Sequence, residues 1–155
     1  MKLNEKVDDF TLKGIDEKGE EKTFSLYDFK GKNLILYFYP KDNTPGCTQE
    51  ACDFRDNINR LASKSVVLGI SPDTVDSHKK FKKDHDLNFI LLSDPDKTVI
   101  KKFEAWGEKN MYGKITEGVI RSTFLIDKEV ILRHEWKKVK VQGHVDEVLD
   151  ELGKL

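Results

Sequence analysis

The sequence predicts an α/β protein: a three-layer α/β/α sandwich with a mixed central sheet, extended at its N-terminus by a β-hairpin. Three observations predict it. Residues 34–39, Leu-Ile-Leu-Tyr-Phe-Tyr, are apolar at every position, the pattern of a strand covered on both faces. Two further strand-like runs follow, Ser65 to Ile70 and Phe89 to Leu92. Helix candidates separate the three runs, and such alternation packs helices against a largely parallel sheet.

Residues 9–14 and 21–26 alternate weakly between apolar and polar around Asp16-Glu17-Lys18-Gly19, which gives the N-terminal hairpin. Ser25 to Lys30 suits one helical turn closed by Gly31. A helix is expected from Pro45 to about Ala62, a second from Thr74 to His85 and a short third from Asp96 to Phe103. Ser122 to Ile126 and Val130 to Trp136 read as a hairpin. Gly143 to Leu152 places Val145, Val148, Leu149 and Leu152 at helical spacing. The resulting order, β-α-β-α-β-β-α after a hairpin, is that of a thioredoxin-like fold. No repeat, low-complexity tract or linker interrupts it, so residues 1–155 are expected to form one domain.

Composition narrows the function classes. The 155 residues carry 27 Lys+Arg against 28 Asp+Glu, a formal net charge of −1. No field of one sign is available, which argues against a nucleic-acid or anionic-membrane partner. No apolar run approaches the ~20 residues of a membrane helix. Met1-Lys2-Leu3-Asn4-Glu5-Lys6 lacks a signal-peptide core, so a reducing, cytoplasmic location is the expectation. Two cysteines are too few for a secreted disulfide scaffold, and both fall within six residues, Cys47 and Cys52.

The setting of Cys47 is that of a nucleophile. Thr44 suits a helix N-cap and Pro45 the first helical position, which puts Cys47 in the first turn. Free backbone N–H groups and the positive end of the helix dipole lie there, and both favour a thiolate. Gly46 would let a small substrate approach the backbone. Cys47, Ala51, Phe54, Ile58 and Leu61 form an apolar helical stripe, whereas Thr48, Cys52, Arg55 and Asn59 form another, polar one. Five residues of helix separate two Cα atoms by roughly 8–9 Å. A disulfide needs less than about 7 Å, so the two thiols could pair only if the helix unwound. This spacing argues against a plain dithiol exchanger.

Further residues add a family resemblance. Pro40-x-x-x-Thr44-x-x-Cys47 resembles the active-site motif of the peroxiredoxins. The run from Tyr37 to Cys52, Tyr-Phe-Tyr-Pro-Lys-Asp-Asn-Thr-Pro-Gly-Cys-Thr-Gln-Glu-Ala-Cys, resembles their bacterioferritin comigratory protein (PrxQ) branch. Similar stretches are Leu68-Gly69-Ile70-Ser71, Leu91-Leu92-Ser93-Asp94, Trp106-Gly107-Glu108-Lys109, Met111-Tyr112-Gly113-Lys114 and Arg121 to Asp127.

The resemblance implies a thiol peroxidase for hydrogen peroxide and organic hydroperoxides. Cys47 would attack the peroxide and become a sulfenic acid. Thr44 would hydrogen-bond thiolate and peroxide, Pro40 would shield the sulfur from water, and Arg121 would stabilise the charge. Cys52 would resolve the sulfenic acid as an intramolecular disulfide, which thioredoxin or a similar dithiol would reduce. The resemblance implies no metal or organic cofactor, and a monomer or a weak dimer. Glu50 is expected to help orient Arg121. The short turn Lys128-Glu129-Val130 replaces a longer, glycine-containing one and lies outside the motif.

Other residues invite plainer readings. Lys79, Lys80, Lys82 and Lys83 around Phe81 suit a solvated helix face, and Trp106 an ordinary core or rim aromatic. Arg55 shares the Cys52 stripe. The four histidines lack metal-ligand spacing with the cysteines. Three alternatives to the peroxidase stand beside it: a protein thiol–disulfide reductase of the same fold, a non-catalytic interaction domain, and a glutathione-peroxidase-like enzyme. The Cys spacing and the Thr44–Arg121 pair disfavour the first, and turnover with a thioredoxin system would exclude the second. Pro40, Thr44 and the nearby second cysteine disfavour the third.

Overall fold

The computed structural model describes the backbone of residues 1–155 and the side chains of all but residues 62 and 111. Nine strands are described: β1 (Thr11–Ile15), β2 (Glu21–Ser25), β3 (Asn33–Phe38), β4 (Ser65–Ser71), β5 (Ile90–Ser93), β6 (Trp106–Met111), β7 (Lys114–Val119), β8 (Ser122–Ile126) and β9 (Leu132–Trp136). Five α-helices accompany them: α1 (Pro45–Asp56), α2 (Ile58–Ala62), α3 (Val75–His85), α4 (Thr98–Lys102) and α5 (His144–Leu152). A single 3₁₀ turn, Leu26–Phe29, follows β2, with Ser25 as its N-cap.

Seven strands form one sheet in the order β2-β1-β5-β4-β3-β8-β9. The pairs β3/β4 and β4/β5 are parallel, while β1/β5, β3/β8 and β8/β9 are antiparallel. The N-terminal hairpin therefore extends the main sheet, entering it through β1 against β5.

The all-apolar run of β3 works as expected. Leu34, Leu36 and Phe38 point into one core cluster with the N-terminal segment and Val99, Ile100 and Phe103. Ile35, Tyr37 and Tyr39 point into the other, with residues of α1, α2, α3 and α5. Alternate side chains of one strand thus serve two cores, which makes the three-layer, thioredoxin-like sandwich.

Two expectations need correction. The helix expected over residues 45–62 breaks at Asn57, whose backbone leaves the helical region at φ −108° and ψ 8°. Asn57 Nδ2 donates to the Asp53 carbonyl at 2.8 Å, the acceptor its own N–H would use in a continuing helix. The apolar stripe survives the break: Cys47, Ala51, Phe54 and Leu61 are buried and Ile58 packs against them.

The second correction is the β6–β7 hairpin, not anticipated as structure and forming its own two-stranded sheet. Tyr112 and Gly113 turn it with φ 53° and 81°, the positive pair that matches a two-residue hairpin loop. Its strands are largely charged and polar, so no apolar alternation announces them.

After Asp127 the short turn closes through the Asp127 carboxylate, which accepts from the N–H of Glu129 and of Ile131. Val130 takes φ 66° there, a rare conformation for a β-branched residue.

Candidate active site

The parallel strands deliver the site. Strand β3 leaves the sheet through Tyr39 and Pro40, and a short turn leads into α1. Thr44 is the N-cap, extended at φ −92° and ψ 154°, and Pro45 opens the helix. The Thr44 carbonyl accepts the first helical bond from Thr48 N–H at 2.8 Å. Cys47 therefore lies in the first turn, with a relative exposure of 1%.

Arg121 reaches this turn from the start of β8, the strand beside β3. It sits between β7 and β8, where β8 runs antiparallel to β3 with Ser122 opposite Phe38. Its neighbourhood is pinned by backbone bonds from Ile120 N–H to Ala105 O (2.7 Å) and from Val139 N–H to Arg121 O (2.9 Å). The guanidinium is consequently fixed over the start of α1. Its Nη2 donates to Cys47 Sγ at 3.3 Å and its Nη1 to Glu50 Oε1 at 2.7 Å.

Gly46 makes room for this arginine. A Cβ added there would meet Arg121 Nη2 at 3.2 Å.

The electrostatics follow from burial. Glu50 is 1% exposed, and burial pushes its carboxyl up to about 7 although Arg121 opposes the rise. Burial works against the charged Arg121 guanidinium, but Glu50 and Cys47 carry it above its ordinary value. Tyr37 lies beneath, stacked on Phe54 at 4.6 Å, and burial raises its phenol strongly, with further contributions from Glu50 and Cys47. Tyr37 Oη and Glu50 Oε2 are the two buried side-chain polar atoms lacking a hydrogen-bond partner among the described residues.

Lys109, on β6, was not singled out by sequence reasoning. Half-buried, its ammonium is lowered by burial and by repulsion from Arg121, while Cys47 pulls the other way. Gly118, on the neighbouring strand, leaves room for its stem, with Cδ and Cε each 3.5 Å from an added Cβ. Only the tertiary position of the hairpin brings this second cation toward the site.

The other expected residues can be placed in turn. Thr44 is half-buried, and its hydroxyl donates to the Lys41 carbonyl at 2.8 Å rather than capping the helix or bonding to Cys47. Pro40 is half-buried just past the end of β3. Cys52 is half-exposed on the same unbroken helix as Cys47, and both thiols are free. Arg55 donates to the His85 carbonyl at 2.6 Å and to Asp56 at 2.9 Å. Trp106 packs at the rim of the first core, under Lys97 and Lys101 at 5.3 and 5.6 Å.

Lys79, Lys80 and Lys83 are exposed, as a solvated helix face requires, and Lys82 is half-buried with its ammonium on the Leu87 carbonyl. A cavity of about 570 Å³ opens at the opposite end of the sheet, lined by Asp127, Arg133, His134 and Glu151, away from both cysteines. No helix is long and apolar enough to cross a membrane among the described residues.

Taken together, the geometry offers a buried thiol at a helix N-terminus, a fixed guanidinium upon it, and a second thiol five residues on. Comparison with known proteins gives the same direction. A profile described as "AhpC/TSA family" matches residues 3–135. The chain is 49% identical over 153 residues to Peroxiredoxin Bcp of Bacillus subtilis, covering 98% of this chain and 95% of that one. It is also 49% identical over 153 residues to a putative peroxiredoxin bcp of Coxiella burnetii, covering 98% and 99%.

Among solved structures, a PrxQ cysteine mutant of Xylella fastidiosa superposes with a TM-score of 0.90 at 36% identity, over 99% of this chain and 96% of that one. The bacterioferritin comigratory protein of Xanthomonas campestris, studied for alkyl peroxide reduction, gives 0.82 at 40% identity, over 92% and 90%.

Proposed function

The chain belongs to the AhpC/TSA family, in its Bcp/PrxQ peroxiredoxin branch, and is a thiol peroxidase; on that premise we propose that Cys47 is its peroxidatic cysteine and Cys52 its resolving one. The observation that carries the assignment is the donation of Arg121 Nη2 to Cys47 Sγ at 3.3 Å. A cation held there stabilises the thiolate and the charge that develops on the departing oxygen.

The proposed cycle has three steps. The Cys47 thiolate attacks one oxygen of the hydroperoxide, the O–O bond breaks, and the departing oxygen takes a proton to leave as water or an alcohol. Cys47 is now a sulfenic acid. The Cys52 sulfur attacks it, releasing water and forming a disulfide. A dithiol then reduces that disulfide to two thiols and is itself oxidised.

Thr44 completes the substrate site in this reading. Its hydrogen is given to the Lys41 carbonyl, so its lone pairs would accept the O–H of the hydroperoxide. Pro40 would keep water from the sulfur. The substrate is a peroxide and the partner a reductant. We assign thioredoxin or a similar dithiol protein as that reductant, hydrogen peroxide and organic hydroperoxides as substrates, and a monomer in the cytoplasm as the working form of a single domain.

The test is direct. Reduced protein treated with one equivalent of hydrogen peroxide should lose two hydrogens by mass spectrometry, located as a bond between Cys47 and Cys52. Cys47→Ser protein that still consumed peroxide at the wild-type rate would overturn the assignment. Coupled turnover with thioredoxin and its reductase checks the partner.

A further inference from the structure

A second buried polar cluster lies where the loop before Cys47 runs along α3. Asp42 and His78 are its centre, with side-chain exposures of 2% and 0%. His78 Nδ1 is 2.7 Å from Asp42 Oδ2, and Nε2 is 2.8 Å from the Leu92 carbonyl. A carbonyl only accepts, so Nε2 carries a hydrogen. With the remaining proton on either Nδ1 or Oδ2, one hydrogen bond closes the pair.

Two hydroxyls also donate to the same carboxyl, Ser77 Oγ to Oδ2 at 2.8 Å and Tyr39 Oη to Oδ1 at 2.6 Å. The Asp42 N–H donates to Asp73 Oδ2 at 2.8 Å, and Ser71 Oγ donates to the same atom at 2.6 Å.

The next residue fastens the loop to the other end of α3. Asn43, at φ 60°, donates from Nδ2 to Asp84 Oδ2 at 3.3 Å, and its Oδ1 lies 2.8 Å from His85 Nε2. Asp42, Asp73 and His78 do group their ligand atoms within 4.8 Å, as a metal site would. Those atoms already have partners: Asp42 and His78 bond to each other, Asp42 also takes Ser77 and Tyr39, and Asp73 takes Ser71 and the Asp42 N–H. The cluster is built as a clamp.

We propose that Asp42 and His78 are positioning residues for the peroxide step, clamping to α3 the loop that carries Thr44 and opens the Cys47 helix. Thr44 follows Asp42 by two residues and its hydroxyl bonds to the carbonyl of Lys41, which precedes Asp42, so a displacement of Asp42 disturbs the Thr44 hydroxyl. Arg121 and Glu50 hold the far side of the same helical turn. In-line attack needs the reacting atoms about 3–3.5 Å apart, and a displacement of about 1 Å costs on the order of 100-fold in rate. Simple alkylation of a thiolate makes no such demand on Thr44. The clamp therefore separates two reactivities of one sulfur.

The inference rests on Cys47 being the peroxidatic residue, and the test isolates that premise. In Cys52→Ser protein, the second-order rates of Cys47 with hydrogen peroxide and with iodoacetamide are measured by mass spectrometry. If this parent shows no fast oxidation of Cys47, the premise has failed rather than the clamp. Given a reactive parent, Asp42→Ala should lower the peroxide rate about tenfold or more and leave alkylation within about threefold. Asp42→Asn keeps the shape and can bond to His78, so it should recover most of the peroxide rate.

A merely structural role would leave the ratio of the two rates at its parental value in every folded variant, and that result overturns the proposal. Should Asp42→Ala not fold, Ser77→Ala, which deletes one half-buried bond, decides by the same ratio. A fall of at least twofold supports the clamp and no change overturns it.

Discussion

Arg121 gives one nitrogen to Glu50 Oε1 at 2.7 Å and the next to Cys47 Sγ at 3.3 Å, so one guanidinium is shared by a buried carboxyl and a buried thiol. The two acids compete for the same cation. Glu50, pushed up to about 7 by burial, changes charge near neutral pH. Below that pH it is neutral and leaves the charge of Arg121 to the sulfur. Above it, the carboxylate draws on Arg121 and repels a thiolate.

Glu50→Gln should therefore remove an ionisation near pH 7 from the rate of Cys47 with hydrogen peroxide, followed by stopped flow from pH 5.5 to 8.5. The same group affects folding. Its folded value lies above the ordinary 4.5, so its contribution to stability is full below 4.5 and is lost as pH rises through about 7. Measured by urea denaturation, the stability of the wild type relative to Glu50→Gln should fall over that range by on the order of 3 kcal/mol at most, a difference in which the opposing rise from His144, common to both, cancels.

Removing Arg121 should be costly to activity. Arg121→Met deletes the donor on the sulfur and leaves Glu50 buried with no cation. Loss of one such donor typically costs 100- to 1000-fold, and kcat/KM for peroxide should fall by about that much. Arg121→Lys should recover little, because one ammonium cannot reproduce the two-pronged geometry.

Gly46→Ala separates stability from activity. The added Cβ would press on Arg121 Nη2 at 3.2 Å, so the guanidinium must move by a few tenths of an ångström. Alanine is the better helix former, by up to about 1 kcal/mol. The expected result is an unchanged or raised denaturation midpoint with a lowered peroxide rate. An unchanged rate would show that Arg121 has slack the structure does not reveal.

His144 works in the opposite sense to Glu50. It is buried, with Nε2 2.8 Å from Thr123 Oγ1, and burial followed by Arg121 lowers it from 6.5 to about 4. The unfolded chain binds the proton first, so stability falls as pH drops from 6.5 toward 4. Glu50 gains stability over the same interval, so the loss is read in Glu50→Gln protein, where denaturation at pH 7 and pH 5 should show it. In Glu50→Gln/His144→Gln it should be smaller.

Disulfide formation requires α1 to open, since Cys47 and Cys52 are both free on an intact helix. Amides 47–53 should be protected from hydrogen exchange in the reduced protein and exposed in the oxidised one. Equal protection in the two states would sink this expectation.

Much of the fold was legible because it rests on local periodicity. The uninterrupted apolar run of β3 announced burial on both faces, and Leu34 and Ile35 do enter different cores. The helix break at Asn57 escaped because a side-chain bond to the Asp53 carbonyl ended a helix whose apolar stripe runs on unbroken. The β6–β7 hairpin escaped because its polar strands have no buried face to reveal a period, and its turn is Tyr-Gly rather than a commoner pair.

By itself, the sequence determined the chemistry available: a cysteine in the first turn of a helix, a second cysteine out of register with it, and the family these residues resemble. Capping, helical phase and chain spacing are local quantities that neighbouring residues settle. The tertiary structure decided which charges meet at the sulfur. It set Arg121 beside the start of α1 through the antiparallel pairing of β8 with β3, cleared its path with Gly46, and buried Glu50 beneath it. It also brought Lys109 near and locked Asp42 onto His78. These contacts join residues up to 74 positions apart. Their energies depend on how much water the packed layers exclude, a property that no single segment of the chain carries.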